Sequence, residues 1–220
     1  MSDTAHQHIP LSDRLRPTEP RHLMVSDGVL AKLQAMLAQH RPMNLTFCGP
    51  PGHGKTSAAR MIIDRLGAEL IELEGNSLRK AADVREKVTA AATTASLFGV
   101  PRIVFIDEAG GMTKAADKAL RIAIEQAVGT TRFILCANDS RELSGPILSR
   151  CPEMRLRPWP WEEEALLQRW IPDYLQRLRD ANVEFDEPRV IEIIRNRYPD
   201  IRAAANDIEM EFELMKMLDF

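Results

Sequence analysis

The stretch Gly49-Pro50-Pro51-Gly52-His53-Gly54-Lys55-Thr56 matches the pattern G-x-x-x-x-G-K-[ST] at every fixed position. A short apolar run, residues 45–48, precedes it as a predicted strand, and apolar residues recur at helical spacing over 57–66. Glycines at this spacing let backbone N–H groups converge on a polyphosphate, to which the N-terminus of the following helix adds partial positive charge. We therefore predict a loop that binds nucleotide phosphates, with Lys55 reaching the outer phosphates and the Thr56 hydroxyl binding Mg²⁺. The predicted nucleotide contacts from this stretch are Gly49, Pro50, Pro51, Gly52, His53, Gly54, Lys55, Thr56 and Ser57.

A second apolar stretch supplies the acidic partner of this loop. Residues 103–106 are apolar, and Asp107 and Glu108 follow them directly. A continuous apolar run is typical of a central parallel strand, whose carboxyl end is the edge where an open α/β sheet binds its ligand. We predict that Asp107 holds Mg²⁺ and that Glu108 is the base that activates a water for attack on the γ-phosphate. Asn138 ends a further predicted strand, residues 131–137, and we expect it to contact the γ-phosphate or that water.

The composition is ordinary for a soluble globular protein, since 45% of the 220 residues are hydrophobic, 28% are charged and the formal net charge is −3. No apolar run approaches the length of a membrane span, and the N-terminus has no signal-type apolar core, so we expect a cytoplasmic protein with no membrane partner. The three cysteines, Cys48, Cys136 and Cys151, are expected to be reduced thiols. The negative net charge excludes a global attraction to DNA, so any nucleic-acid contact must be a local patch.

The order of the predicted elements indicates a P-loop NTPase fold, a doubly wound α/β sheet of five mainly parallel strands, followed by a small α-helical domain. Polar, proline-containing residues at the N-terminus predict a flexible, extended arm. Prolines flank Trp159, and the strand patterns end there. The predicted segments are the arm over 1–21, the α/β ATPase domain over 22–158 and the helical lid over 159–220.

Two sets of basic residues are candidates for phosphate contacts. Arg202 lies at the start of a predicted helix, where its charge opposes the helix dipole, so we expect it to have a phosphate partner. The other set begins a predicted helix over residues 78–96, although a basic run on a helix is more often a solvated face than a nucleic-acid site. The members of this second set are Arg79, Lys80, Arg85 and Lys87.

Several segments together resemble the small subunits of sliding-clamp loaders, the replication factor C family of AAA+ ATPases, over roughly residues 14–210. The motifs that carry the resemblance are Arg16-Pro17, residues 72–77 with 83–88, residues 130–133, Ser149-Arg150-Cys151 and residues 200–206. In that family the first lies beside the adenine, the second enters a helix that follows duplex DNA, and the third begins the sensor-1 strand. The fourth is similar to the arginine finger that completes a neighbour's ATP site, and the fifth to the sensor-2 helix.

The resemblance implies an ATPase that binds ATP and Mg²⁺ and uses hydrolysis to load a ring-shaped sliding clamp of a DNA polymerase onto primer–template DNA. It implies other clamp-loader subunits as partners, in a pentameric ring or spiral. It assigns catalytic roles to Lys55, Glu108, Asn138 and Arg202, and to Arg150 acting in trans. It also adds Arg16, Pro17, Asn138 and Arg202 to the nucleotide contacts, and assigns DNA binding to Arg79, Lys80, Arg85 and Lys87.

Three features depart from the family pattern. Gly110 replaces the last acid of Asp-Glu-Ala-Asp, Asp117 and Lys118 replace paired glutamines, and the sequence ends at Phe220, where family members continue into a collar domain. Without a collar, we expect assembly to depend on nucleotide and DNA.

Two alternatives stay open. One is another AAA+ DNA remodeller, such as a branch-migration motor or a helicase loader, against which the Ser-Arg-Cys and Thr-Thr-Arg-Phe motifs favour the clamp loader. The other is a non-hydrolysing structural subunit that only presents Arg150 to a neighbour. The intact set of Lys55, Thr56, Asp107 and Glu108 argues against such a subunit.

Overall fold

The computed structural model describes residues 9–40, 42–89, 92, 99–127, 129 and 131–214. Its sheet has strands β1 Leu45–Cys48, β2 Glu69–Glu74, β3 Arg102–Asp107, β4 Thr131–Ala137 and β5 Glu153–Arg155. The spatial order is β2-β3-β4-β1-β5, and all four pairings are parallel. The predicted doubly wound sheet is therefore confirmed. The carboxyl ends of β3, β4 and β1 lie side by side at one edge.

Helices connect and cover the strands. Among the described residues they are α1 Leu11–Arg14, α2 Asp27–Ala38, α3 Lys55–Leu66, α4 Ala81–Val84, α5 Lys114–Gln126, α6 Gly145–Leu148, α7 Glu163–Asp180, α8 Glu187–Arg197 and α9 Ile201–Glu209. π-Helical turns continue α4 over Arg85–Thr89 and α9 over Met210–Leu214, and short 3-10 turns lie at Pro20–His22, Gly75–Ser77, Ala109–Gly111 and Ser140–Glu142. None of the described helices is both long and apolar enough to span a bilayer.

The apolar run of β3 is explained by its burial on both faces. Successive side chains of a strand point to opposite sides of the sheet. Ile103 and Phe105 accordingly pack with residues of α2 and α3, whereas Val104 and Ile106 pack with residues of α4 and α5. All four are fully buried. This two-sided packing fixes the position at which Asp107 and Glu108 leave the sheet.

The N-terminal segment differs from the prediction. Leu11 and Leu15 are buried in the apolar cluster formed by α7, α8 and α9, with exposures of 0% and 6%. The predicted extended arm over 1–21 is therefore wrong for residues 11–15, because burial of two leucines stabilises a short helix against the lid. Residues 1–8 of the predicted arm lie outside the described residues.

The predicted helix over 78–96 is also only partly described. Its α-helical part ends at Val84 and continues as the π-helical turn to Thr89, while residues 90, 91 and 93–98 lie outside the described part of the chain. Thr113 caps the next helix, α5, because its Oγ1 accepts a hydrogen bond from the backbone N–H of Ala116.

Candidate nucleotide site

Lys55 connects the segment that follows β1 to the segment that follows β4. Its Nζ donates to the carbonyl oxygens of Gly49 and Pro50, at 2.7 and 3.0 Å, and to Oδ1 of Asn138 at 3.0 Å. Burial is the main cause that lowers the pKa of this half-buried ammonium from its ordinary value. Lys55 and Asn138 were both predicted as site residues, and they are far apart in sequence. The fold brings them into direct contact. The ammonium is held by neutral oxygens that an anionic phosphate can replace.

Thr56 and Asp107 meet at the neighbouring position. Thr56 Oγ1 donates to Oδ2 of Asp107 at 2.7 Å, which joins the start of α3 to the end of β3. Hydroxyl and carboxylate oxygens are hard donors of the kind Mg²⁺ prefers. The described residues contain no cluster of three or more His, Cys, Asp and Glu side chains that could hold a metal. The two oxygen donors of Thr56 and Asp107 fit Mg²⁺ of the usual nucleotide type, in which phosphate and water complete the ligands.

Glu108 adopts an uncommon backbone conformation beside this pair. Its φ is 50°, in the left-handed region, and its N–H donates to Oδ1 of Asp107 at 3.0 Å. Its carboxylate is exposed, and Oε2 accepts a hydrogen bond from Nδ2 of Asn76 at 2.8 Å. Sequence reasoning missed Asn76. The position of Asn76 was the available signal, because it lies just after β2. β2 pairs with β3 so that Glu74 lies opposite Asp107, which places the residues after the two strands side by side.

The phosphate loop rests against the lid. Gly52 has a φ of 80°, and a Cβ on it would lie 2.1 Å from Oδ1 of Asp200, so glycine is required there for both backbone and space. The ring of His53 packs edge-on against Tyr198, with centroids 6.2 Å apart. Both ring nitrogens are buried. Burial, with Lys55 as the next cause, lowers the pKa of His53 to about 4, so the ring is neutral.

A cavity of about 410 Å³ lies between the phosphate loop, the N-terminal segment and the lid. Trp170 and Tyr174 of α7, stacked 4.7 Å apart, form an aromatic wall that the sequence did not single out, because their spacing resembles that of ordinary core residues. The predicted residues that line the cavity are Arg16, Pro17, Gly52, His53, Gly54, Lys55, Thr56, Ser57 and Arg202. This volume is within the range of small-ligand sites.

The other predicted nucleotide and metal residues lie outside the cavity lining. The carbonyl oxygens of Gly49 and Pro50 accept hydrogen bonds from Lys55, which does line the cavity. Pro51, the next residue of the loop, is exposed. Asn138 is hydrogen-bonded to Lys55 and Asp107 to Thr56, and Glu108 is connected to them through its bond to Asp107. The structure therefore gathers the predicted phosphate and metal residues at one edge of the sheet.

Two predicted groups lie away from the cavity. Arg150 follows α6, where Nη2 pairs with Oε1 of Glu125 at 2.5 Å and Nη1 donates to the carbonyl oxygen of Pro146 at 2.8 Å. The predicted DNA contacts, all exposed, lie just before α4 and in the π-helical turn that follows it. They are Arg79, Lys80, Arg85 and Lys87. The Arg79 carbonyl accepts a hydrogen bond from Thr113 Oγ1 at 2.6 Å, which ties this region to the segment after Glu108.

Comparison with known proteins gives a consistent result. The family model described as "ATPase family associated with various cellular activities (AAA)" matches residues 45–158. The chain is 31% identical over 212 residues to a replication factor C small subunit of Staphylothermus marinus, covering 94% of this chain and 63% of that protein. It is 30% identical over 213 residues to the one of Archaeoglobus fulgidus, covering 94% and 65%. The predicted resemblance to replication factor C small subunits is confirmed, and the chain spans less than two thirds of the length of these relatives.

Solved structures show the same fold. RuvB of Thermotoga maritima superposes with a TM-score of 0.64 at 23% identity, over 88% of this chain and 63% of that one. The matched family region contains the phosphate loop, the acidic end of β3 and Asn138. Because that region covers more than half of the sequence and holds these residues in mutual contact, the chain belongs to the AAA family of ATPases.

Proposed function

We propose that this chain is an ATP-hydrolysing subunit of a clamp loader, which places a ring-shaped sliding clamp on primer–template DNA. The observation that carries the proposal is the set of contacts at the carboxyl edge of β1, β3 and β4, where Lys55 meets Asn138 and Thr56 meets Asp107. The similarity to replication factor C small subunits over most of the chain supports the choice of clamp loading among the activities of AAA proteins.

The residues divide the work of hydrolysis among them. Backbone N–H groups of the loop and the N-terminus of α3 bind the phosphates, and Lys55 exchanges its carbonyl partners for phosphate oxygens. Thr56 and Asp107 would hold Mg²⁺, which neutralises charge on the phosphates when bound. Glu108 accepts a proton from the attacking water, and Asn138 orients that water or the γ-phosphate. The products are ADP and inorganic phosphate.

The base and ribose occupy the cavity beyond the phosphate loop. Arg16 and Pro17 border one side and the lid the other, and Arg202 at the start of α9 also lines the cavity. Arg202 then supplies charge to the γ-phosphate from the lid. Because the lid and the loop both border this cavity, ATP holds them together.

Arg150 serves a neighbouring subunit. It is absent from the lining of its own cavity, and its side chain remains partly exposed beside Glu125. A guanidinium that reaches the γ-phosphate of the next subunit stabilises the charge of the transition state there. The proposed assembly is therefore a ring or spiral, pentameric in the family it resembles, in which ATP lies between subunits.

The surface around α4 follows the DNA backbone. Its four basic side chains are exposed, and charges of this kind bind phosphates without reading the base sequence. Asn76 and Thr113 connect the start of this surface to Glu108 and to the turn after it. Because Arg79 Nε donates to the carbonyl oxygen of Asn76 at 3.2 Å, DNA bound at Arg79 acts on the proposed base through two hydrogen bonds, Arg79 to Asn76 and Asn76 to Glu108.

The test is the ATPase rate of the purified chain with candidate clamp, primer–template DNA and partner subunits, added singly and together. We expect the fastest hydrolysis with clamp and primed DNA present and little effect of unprimed duplex. Stimulation by a four-way junction alone would instead assign the chain to branch migration. ATP binding with no hydrolysis in any mixture would assign it to the structural, non-hydrolysing class.

A further inference from the structure

Gly110 and Glu142 fit together at the turn after β3. A Cβ on Gly110 would lie 2.1 Å from Oε2 of Glu142 and 2.8 Å from its Cδ, both closer than real Cβ atoms approach. The backbone of Gly110 does not have a positive φ, so its conformation does not require glycine. The requirement comes from Glu142, which occupies the space that any side chain at position 110 would enter.

Glu142 in turn holds Asn138. Its Oε2 accepts a hydrogen bond from the backbone N–H of Asn138 at 3.2 Å, and its own N–H donates to the carbonyl oxygen of Asp139 at 3.1 Å. Asp139 caps the 3-10 turn by accepting from the N–H of Arg141 at 2.8 Å. Asn138 is thus held at its side chain by Lys55 and at its backbone by Glu142.

We propose that Glu142 is a positioning residue for Asn138 in ATP hydrolysis, and that glycine at 110 is what admits it. The proposal rests on the proposed function for its kinetic consequence only. When Lys55 turns to the phosphates, its bond to Asn138 Oδ1 is given up, and the bond from Glu142 still fixes the backbone from which the Asn138 side chain extends. The family pattern has an acid at position 110, where this chain has glycine. The carboxylate of Glu142, from the turn after β4, occupies the space beside that glycine.

The kinetic test separates positioning from binding. Glu142→Ala should lower kcat about tenfold, the effect of losing roughly one hydrogen bond to a charged group, while the KM for ATP changes less than about twofold. Glu142→Gln keeps an acceptor oxygen and should retain kcat within about threefold. The control is Arg141→Ala, an exposed neighbour that does not contact Asn138. Wild-type kcat in Glu142→Ala, or equal losses in the Ala and Gln variants, overturns the proposal.

Two further measurements do not depend on ATPase activity. Gly110→Ala should lower Tm, and adding Glu142→Ala should recover most of that loss because the contact is relieved. In the wild-type background, Glu142→Ala should speed amide hydrogen exchange of Asn138 at least tenfold. Additive losses of Tm, or unchanged exchange at Asn138, overturn the proposal. If the wild-type chain hydrolyses no ATP in any mixture, the proposed function fails while these two results still decide the role of Glu142.

Discussion

The amide of Asn76 donates to the carboxylate of Glu108 across 2.8 Å, which joins the turn after β2 to the proposed catalytic base after β3. The bond occupies one acceptor position of Oε2 and fixes the direction in which the Glu108 carboxylate points. Asn76 therefore restrains Glu108 in the nucleotide-free chain.

Asn76→Ala is expected to raise the ATPase rate without DNA by about three- to tenfold, since about one hydrogen bond to a charged group is removed. The KM for ATP should not change, because Asn76 does not line the cavity. Steady-state kinetics without DNA measure both. Ser77→Ala is the control, as its hydroxyl donates to the Glu74 carbonyl instead. A fall in rate would mean that Asn76 orients Glu108 productively.

Lys55→Ala and Glu108→Gln should separate nucleotide binding from hydrolysis. Loss of the Lys55 ammonium removes the main cation of the phosphate site, so ATP affinity should fall at least about a hundredfold. Glu108→Gln keeps that cation and should bind ATP with wild-type affinity while kcat falls by about 10² to 10³. Equilibrium binding of a fluorescent ATP analogue and single-turnover hydrolysis measure the two effects. Wild-type turnover by Glu108→Gln would contradict its assignment as the base.

Arg150 is expected to act on a neighbouring subunit. Arg150→Ala should bind ATP normally but lose about 10³-fold in assembled turnover, the lower end of the range for arginine fingers. Mixing it with Lys55→Ala should restore part of the rate, because one chain supplies an intact pocket and the other an intact finger. The double variant Lys55→Ala/Arg150→Ala is the matched control and should not rescue Arg150→Ala. Failure of rescue in mixtures shown to co-assemble would exclude the role in trans.

The surface around α4 should bind DNA through phosphates. Each neutralised phosphate contact is expected to reduce the slope of log K against log salt by about one unit, equally for different DNA sequences. Arg85→Ala tests one contact, and replacing all four basic residues by Ala tests the surface. Lys32→Ala, an exposed lysine of α2, is the control. Binding titrations at several salt concentrations measure the slope, and an unchanged slope in the fourfold variant would remove α4 from the DNA contact.

His53 gives the stability of the chain a defined dependence on pH. Its pKa is lowered from 6.5 to about 4 in the folded chain, so between these values the unfolded chain binds the extra proton. The contribution of the neutral, buried ring is fully present above pH 6.5 and is lost as pH falls to 4, by at most roughly 3 kcal/mol. Urea unfolding of His53→Gln should show a flatter fall over this interval than wild type. Parallel curves would mean that His53 is already protonated in the folded chain.

The main features of the site follow from sequence because they depend on short, local patterns. The fixed positions of the phosphate loop and the apolar run of β3 each specify a strand end, and parallel strands bring their carboxyl ends to one edge. The meeting of Thr56 and Asp107 is a consequence of that rule. This contact could therefore be predicted without knowing the order of the strands in the sheet.

The contacts that escaped the sequence depend on which turns become neighbours. Asn76 reaches Glu108 because β2 pairs with β3, and Glu142 reaches Gly110 because β4 pairs with β3 on its other side. Neither pairing has a local signal, since both join elements that are separated along the chain. Leu11 was missed for a related reason, because two leucines in a polar segment are too few to display a period. Its burial depends on the lid, which lies more than 140 residues later.

The packing of Gly52 and His53 against Asp200 and Tyr198 makes the phosphate loop and the lid a thermodynamically linked pair. A ligand that reshapes the loop must change the free energy of the lid's orientation, and by reciprocity whatever holds the lid changes the affinity for that ligand by the same factor. A coupling of about 1.4 kcal/mol already corresponds to tenfold in affinity. A partner that binds only α7 to α9 can therefore change the nucleotide affinity of the phosphate loop without contacting that loop.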